Sequence, residues 1–310
     1  MRYDLRKKLL YIAAVAVFLG SCSYDPASRR HIEVDLLNQE YEFQENTRMD
    51  TTPILSVAVS AIISPRETLN YYENLFNFIS EKTGYQIEFK QRRTYQEVNQ
   101  LIEEEEVDLA FICSGAYTMG KEKSGMEILA IPVINGKSKY QAYVIVHQTS
   151  PVKSFEELRD KKFAYTDPMS HTGKFYADKR VIECGCAIDK FFSKTIYSHA
   201  HDVSMQLVAK QVVDGASVSG LIYDYIAAKY PDRVKNLKII EKSEYYGMPP
   251  VVIPQALDPA KKDKLKAFLL NAHNDPEGKA ILNNLMIDRF ISGNDADYDG
   301  IREMLSFIGQ

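Results

Sequence analysis

Cysteine is scarce in this chain of 310 residues: Cys22, Cys113, Cys184 and Cys186, with no C-x-x-C spacing among them. Zinc ribbons and thioredoxin-type redox motifs need that spacing, so neither a metal site nor a cofactor is expected. Cys184 and Cys186 are separated only by Gly185; buried thiols and an oxidised pair both stay open. The marks of several enzyme classes are missing too. No H-E-x-x-H, G-x-S-x-G or G-x-x-x-x-G-K-[ST] occurs, which leaves no zinc-binding helix, no nucleophile elbow and no P-loop. Catalysis is therefore not expected. Positive charge is not in excess either. The formal charge is −4, and no nucleic-acid partner is expected on that balance.

What is present begins with an export pattern. Arg2, Arg6, Lys7 and Lys8 precede the apolar run "LLYIAAVAVFL" at residues 9–19. A bilayer span needs roughly 20 such residues, so this run has the proportions of a signal-peptide core. "LGSC", ending at Cys22, resembles the lipobox of bacterial lipoproteins. Residues 1–21 are expected to be removed, Cys22 to carry a lipid, and residues 22–52 to form a polar tether. Losing four basic groups and one acid takes the formal charge from −4 to −7. The expected location is the cell envelope, periplasmic or on the outer face of a membrane, held there by the lipid.

Order is expected from "ILSVAVS" at residues 54–60, a β-branched apolar run. After Pro65, residues Leu69, Tyr72, Leu75, Phe76 and Ile79 lie on one helical stripe that Gly84 ends. "QIEFKQR", "VDLAFIC", "AYVIVH", "KFAYT" and "LKIIEKS" read as strands, with helical patterns between them. "SFEELRD" has the capping-box spacing from Ser154 to Glu157. The two halves look alike, and alternating strands and helices argue for parallel α/β sheets. Ligands in such sheets sit beyond the carboxyl ends of the strands. Two lobes with facing strand ends would make a cleft lined by helix starts. Within "KFAYTDPMSHTG", Ser170, His171, Thr172 and Gly173 stand where a strand gives way to a helix. Hydroxyls, a glycine and free N–H groups there suit an anion; Ser and Thr at a helix start also suit plain capping. His199 and His201 are two apart, so on a strand they would face opposite ways.

The phrases "GYQIEFKQRRTYQEVNQLIEEEEVDLAFICSGAY", "KKFAYTDPMSHTG", "SHAHD" and "DPEGKAILNNLMIDRFI", in this order and spacing, resemble the phosphate/phosphite/phosphonate periplasmic substrate-binding proteins of ABC transporters. The resemblance runs from about residue 54 to 305. It implies an α/β, two-lobed type II periplasmic-binding fold with the ligand cleft between lobes: lobe I at 53–141 plus 246–310, lobe II at 142–245. The family's second-lobe motif is similar to T-D-P-x-S-T-S-G, here Thr166 to Gly173. The resemblance implies that Ser170, His171, Thr172 and Gly173 hold phosphorus-bound oxygens. His201 matches a ligand-contacting His, Tyr117 a Tyr after the first lobe's last strand, and Ser60, Ala61 and Ile62 the first strand's exit, where the first lobe touches the ligand. Three positions depart from the pattern. His171 replaces a small hydroxyl residue. Cys113 and Ser114 stand where relatives often have Gly-Pro, which makes Ser114 part of the wall. Tyr223 lies near a position where aminophosphonate binders carry an acid, with Asp224 one step on. The implied role is capture of a phosphonate-, phosphite- or phosphate-type oxyanion for delivery to an ABC permease. A ligand-sensing subunit for a membrane receptor would use the same cleft.

Overall fold

The structure, a computed structural model, describes residues 52–309. The expected export segment 1–21, Cys22 and the tether up to residue 51 lie outside the described residues. The apolar run Ile54–Val59 forms β1. Pro65 suits the first helical turn, where its missing N–H has no partner to lose. From it α1 runs Pro65–Thr83, burying Leu75, Phe76 and Ile79, and Gly84 ends it in the left-handed region at φ 71°. β2 (Gln86–Gln91), α2 (Tyr95–Glu103), β3 (Leu109–Phe111) and α3 (Ser114–Ser124) follow. β4 (Glu127–Val133) and the short β5 (Lys139–Tyr140) lead out of this lobe.

The second lobe is built from β6 (Ala142–His147), β7 (Lys162–Tyr165), a π-helical turn at His171–Phe175 running into α4 (Tyr176–Glu183), and α5 (Ile188–Phe191). It continues with β8 (Lys194–Tyr197), α6 (His201–Ala209), β9 (Gly215–Ser219), α7 (Gly220–Lys229) and β10 (Leu237–Lys242). β11 (Tyr246–Gly247) pairs antiparallel with β5 between the lobes. The chain then returns to the first lobe as β12 (Val251–Ile253), α8 (Pro259–Asn271), α9 (Pro276–Asn284) and β13 (Arg289–Ile291). The last helix, α10 (Asp299–Ile308), packs on both α3 and α4, so it touches both lobes.

The strand order is β13-β4-β12-β3-β1-β2 in one sheet and β10-β6-β9-β7-β8 in the other. Each contains the same unit, three parallel strands joined through helices: β2-β1-β3 and β8-β7-β9. The sheets are mixed, however, where parallel ones were expected. β12 runs antiparallel to β3 and β4, and β6 antiparallel to β9 and β10. The reason is the route of the chain. β6 and β12 are the strands by which it crosses between lobes, so they enter each sheet at the edge where the parallel strands leave it. That edge is the one facing the cleft, and the helices α1, α3, α6, α7 and the π-helical turn all begin there. One buried apolar cluster, around Leu55, Leu75, Phe76 and Leu265, holds lobe I. Another, around Ile145, Val208 and Val218, holds one face of lobe II. A third runs through both, from Val98 and Tyr117 to Phe175 and Tyr176.

Candidate functional site

β7 ends at Tyr165, and Asp167 starts the turn that follows it. Its Oδ1 accepts the Met169 N–H at 2.8 Å, and its main-chain carbonyl accepts the Ser170 N–H at 3.0 Å. Ser170 then caps the helix. Its Oγ accepts the Gly173 N–H at 3.0 Å, and its carbonyl accepts those of Lys174 and Phe175 at 3.0 and 3.1 Å. Sharing that carbonyl widens the turn, which closes with the Tyr176 N–H on the His171 carbonyl. Only glycine fits at 173: a Cβ there would stand 1.7 Å from Thr166 Oγ1 and 2.9 Å from Ser170 Oγ.

The start of α3 faces this turn from the other lobe. Gly115 lets the two backbones meet, since a Cβ on it would stand 2.4 Å from the Met169 carbonyl and 2.6 Å from the His171 nitrogen. Beside it, Ser114 Oγ lies 2.7 Å from the Tyr140 hydroxyl and 3.5 Å from His171 Nδ1. The Tyr140 hydroxyl is 3.2 Å from the same Nδ1, and the His171 ring meets Tyr246 edge-on at 4.4 Å. Burial pushes the His171 pKa down to about 3, so the ring is neutral here. Its Nε2 has no hydrogen-bond partner. Nor has Thr166 Oγ1, nor Thr172 Oγ1, which faces the Tyr140 phenol without a well-formed bond, nor Ser60 Oγ at the exit of β1. All four residues are at most 1% exposed. The adjacent side chains of Ser170 and His171 thus go to different partners and form no catalytic pair.

His201 stands at a helix start and not on a strand. β8 stops at Tyr197 and His199 takes a left-handed turn at φ 60°, so strand alternation does not apply. His199 is exposed; His201 opens α6 and is buried. Its N–H reaches the Ile62 carbonyl across the cleft at 2.9 Å, and its Nδ1 accepts the Ser219 N–H at 3.0 Å. Burial pushes its pKa down to about 3 as well. Two other expected site residues stand apart. The Tyr117 hydroxyl donates to Asp295 at 2.7 Å and its ring packs on Tyr298. Ala61 packs among Tyr95, Cys113 and Ala116. Cys113 is buried, which raises its thiol pKa, and Cys113, Cys184 and Cys186 are all free thiols.

The lobes are closed on each other, and two carboxylates of lobe II meet helix starts of lobe I. Asp202 accepts the Ser64 N–H at 2.8 Å and the Ser64 hydroxyl at 2.6 Å; Ser64 is the N-cap of α1. Asp167 Oδ2 accepts the N–H of Tyr95, the first residue of α2, at 3.1 Å. Negative charge at a helix N-terminus is favourable. Burial raises the Asp167 pKa, against the pull of its N–H donors Met169 and Tyr95. Tyr140, Ser219 and Asp202 were not anticipated as site residues. Asp202 carries the one readable signal, an acid in a first helical turn, but its partner Ser64 is 138 positions away. Next to this polar cluster lies a cavity of about 200 Å³ whose walls include Ser60, Ile62, Tyr72, Tyr140, Ser219 and Asp224.

With that geometry in view, comparison places the chain among known proteins. The sequence model of the family described as "ABC transporter, phosphonate, periplasmic substrate-binding protein" matches residues 57–298. The phosphonates-binding periplasmic protein of Escherichia coli is 26% identical over 206 residues, which are 65% of this chain and 61% of that protein. The match therefore spans less than two thirds of that relative's length. A binding-protein component of an ABC phosphonate transporter from Pseudomonas aeruginosa superposes with a TM-score of 0.79 at 24% identity, covering 83% of this chain and 87% of that one. PhnD1 from Prochlorococcus marinus, in complex with methylphosphonate, superposes with a TM-score of 0.76 at 16% identity, covering 83% and 99%. The shared fold is the two-lobed one.

Proposed function

The chain belongs to the ABC transporter phosphonate periplasmic substrate-binding protein family, and from that premise we propose that it captures a phosphorus oxyanion between its lobes and hands it to an ABC permease. One observation carries the reading: Ser60 Oγ, Thr166 Oγ1, Thr172 Oγ1 and His171 Nε2 are buried without partners where strands end and helices begin. An unpaired buried polar group costs about 1–3 kcal/mol, so a group of them is accounted for by a polar ligand. Ser170, His171, Thr172, Gly173, Ser114 and His201 form or border the cradle in this reading. Tyr117 and Ala61 support it through packing. Lobe I comprises 53–141 plus 246–310, and lobe II comprises 142–245. The site binds rather than catalyses. Relatives named for phosphonates and crystallised with methylphosphonate support the ligand class.

Titration calorimetry of the mature chain with phosphate, phosphite and methylphosphonate tests this. At least one is expected to bind at micromolar concentration or below. Binding of none of them, nor of a larger phosphonate, at millimolar concentration sinks the reading. The anchor is a separate part of it: Cys22→Ala is expected to move the protein from the membrane fraction to the soluble one or leave it unprocessed, and a variant that stays lipidated removes the anchor.

A further inference from the structure

Resting on that reading, we infer that the oxyanion carries a ring-sized apolar substituent, which lies in the cavity beside the cradle. The cradle and the cavity adjoin. Tyr140 is on the cavity wall, and its hydroxyl contacts Ser114 and His171 of the cradle. Ser60 is on the wall with its unpartnered Oγ, and Ser219 is on the wall with its N–H on His201. With Ser60 and Tyr140 standing at both, an anion held by the helix starts has this space beside it for its fourth substituent.

A hydrogen or a methyl would leave most of the space unfilled. The cavity measures about 200 Å³, where one water needs about 10–15 Å³. Its chemistry is that of a slot for a flat apolar group. Ile62, Tyr72 and Pro249 line it from lobe I and the hinge, and Tyr143, Leu221 and Ile222 from lobe II. Aromatic and apolar walls of this kind favour rings by area and by edge-to-face contact.

The charges on the wall argue against an ammonium group. Asp224, to which the Tyr143 hydroxyl donates at 3.1 Å, is the one acid among the lining residues, against two lysines, Lys137 and Lys139. The Lys242 ammonium lies 3.4 Å from that hydroxyl and 4.4 Å from the ring centroid. Lys137, also on the wall, donates to the Tyr245 hydroxyl at 2.6 Å. A substituent touching Ile62 on one lobe and Leu221 on the other buries apolar surface only when the lobes are closed, so it would add to closure as well as to affinity.

The test is a ligand series on the mature chain: calorimetric titration with methylphosphonate, 2-aminoethylphosphonate and phenylphosphonate. Phenylphosphonate is expected to bind at least tenfold tighter than either of the others. Leu221→Asn, a neutral polar change in the first turn of α7, and Ile222→Trp, which fills the cavity, are each expected to cut that preference severalfold. Methylphosphonate binding as tightly as phenylphosphonate, or tighter, overturns the inference and leaves oxyanion capture standing. If no phosphonate, phosphite or phosphate binds, the capture reading itself has failed. The ligand series decides without any variant, so a misfolded substitution does not block it.

Discussion

Thr172→Val separates holding a ligand from holding the fold. The substitution keeps the branched shape and replaces Oγ1 by a methyl. In the structure Thr172 is 1% exposed and its Oγ1 faces the Tyr140 phenol without a well-formed bond, so the fold gains little from it. Removing an unsatisfied buried hydroxyl is neutral or stabilising, and the melting temperature is expected to hold or rise. Affinity is expected to move the other way. A hydrogen bond to a charged ligand is worth about 1.5–3 kcal/mol, and 1.4 kcal/mol is a factor of ten, so Kd rises roughly 10- to 150-fold. Ser170→Ala is the contrasting case. Its Oγ caps Gly173 N–H, so it is expected to lose about 0.5–2 kcal/mol of stability on top of any loss of affinity. Calorimetry gives the affinities and thermal melts the stabilities. A Thr172→Val protein with unchanged Kd for every oxyanion that the parent binds refutes the cradle argument, whatever its melting point.

Asp202→Ala removes two cross-lobe hydrogen bonds to Ser64; it is expected to weaken ligand binding at least tenfold and to leave the ligand-bound protein more open by small-angle scattering, and an unchanged scattering curve and Kd would rule out a part for these bonds in closure. Gly173→Ala sets a Cβ 1.7 Å from Thr166 Oγ1, and the overpacking is expected to cost about 1–3 kcal/mol, read as a fall of about 2–4 °C per kcal/mol in thermal melts; an unchanged melting point contradicts the packing. His171 and His201 have folded pKa values near 3 against an ordinary 6.5, so below pH 6.5 the unfolded chain takes up protons that the folded one does not. Stability is therefore lost as pH falls, approaching about 1.4 kcal/mol per pH unit for each ring well below pH 6.5, or about 3 kcal/mol for both between pH 6.5 and 5. Asp167, Asp178 and Asp224, raised by burial, act in the opposite sense near their own range. His201→Asn, which keeps an acceptor for the Ser219 N–H, is expected to flatten the denaturation-derived slope by one ring's share, and an unaltered slope would count against a neutral buried His201.

Local chemistry made much of this fold readable. Pro65 and Gly84 bracket α1, the apolar runs at 54–59 and 109–111 are buried strands, and a helical turn begins at His171, within the residues 170–173 where a strand was expected to give way to a helix. Local spacing misled where the element is too short to use it. Ser154 and Glu157 have a capping-box spacing, yet the segment is one 3-10 turn at Glu156–Leu158, with the Glu157 carboxylate on the Lys153 N–H at 2.8 Å. The box that forms is at Thr94 and Glu97. Strand direction was not legible either. "VVI" at 251–253 reads as extended, but its antiparallel run against β3 and β4 depends on where the chain re-enters the lobe. Tyr140 was not legible, because only tertiary structure brings residues 60, 114, 140 and 171 to one edge, which no window of sequence contains.

The structure also removes a choice that the sequence posed. At Ser170, capping and anion binding looked like rival uses of one hydroxyl. The Oγ accepts the Gly173 N–H, but a hydroxyl that accepts still has its own hydrogen to donate. Cap and cradle are therefore compatible, and the cap fixes the direction in which the remaining donor points. The same economy explains the lack of lysine or arginine in the cradle sequence from Ser170 to Gly173. Neutral donors at helix starts favour an anion without a fixed cation, and His171 and His201, held neutral by burial, add ring nitrogens instead of full charges. A cleft of that kind binds through directed hydrogen bonds, so tetrahedral geometry and substituent, more than total charge, decide which anion it keeps.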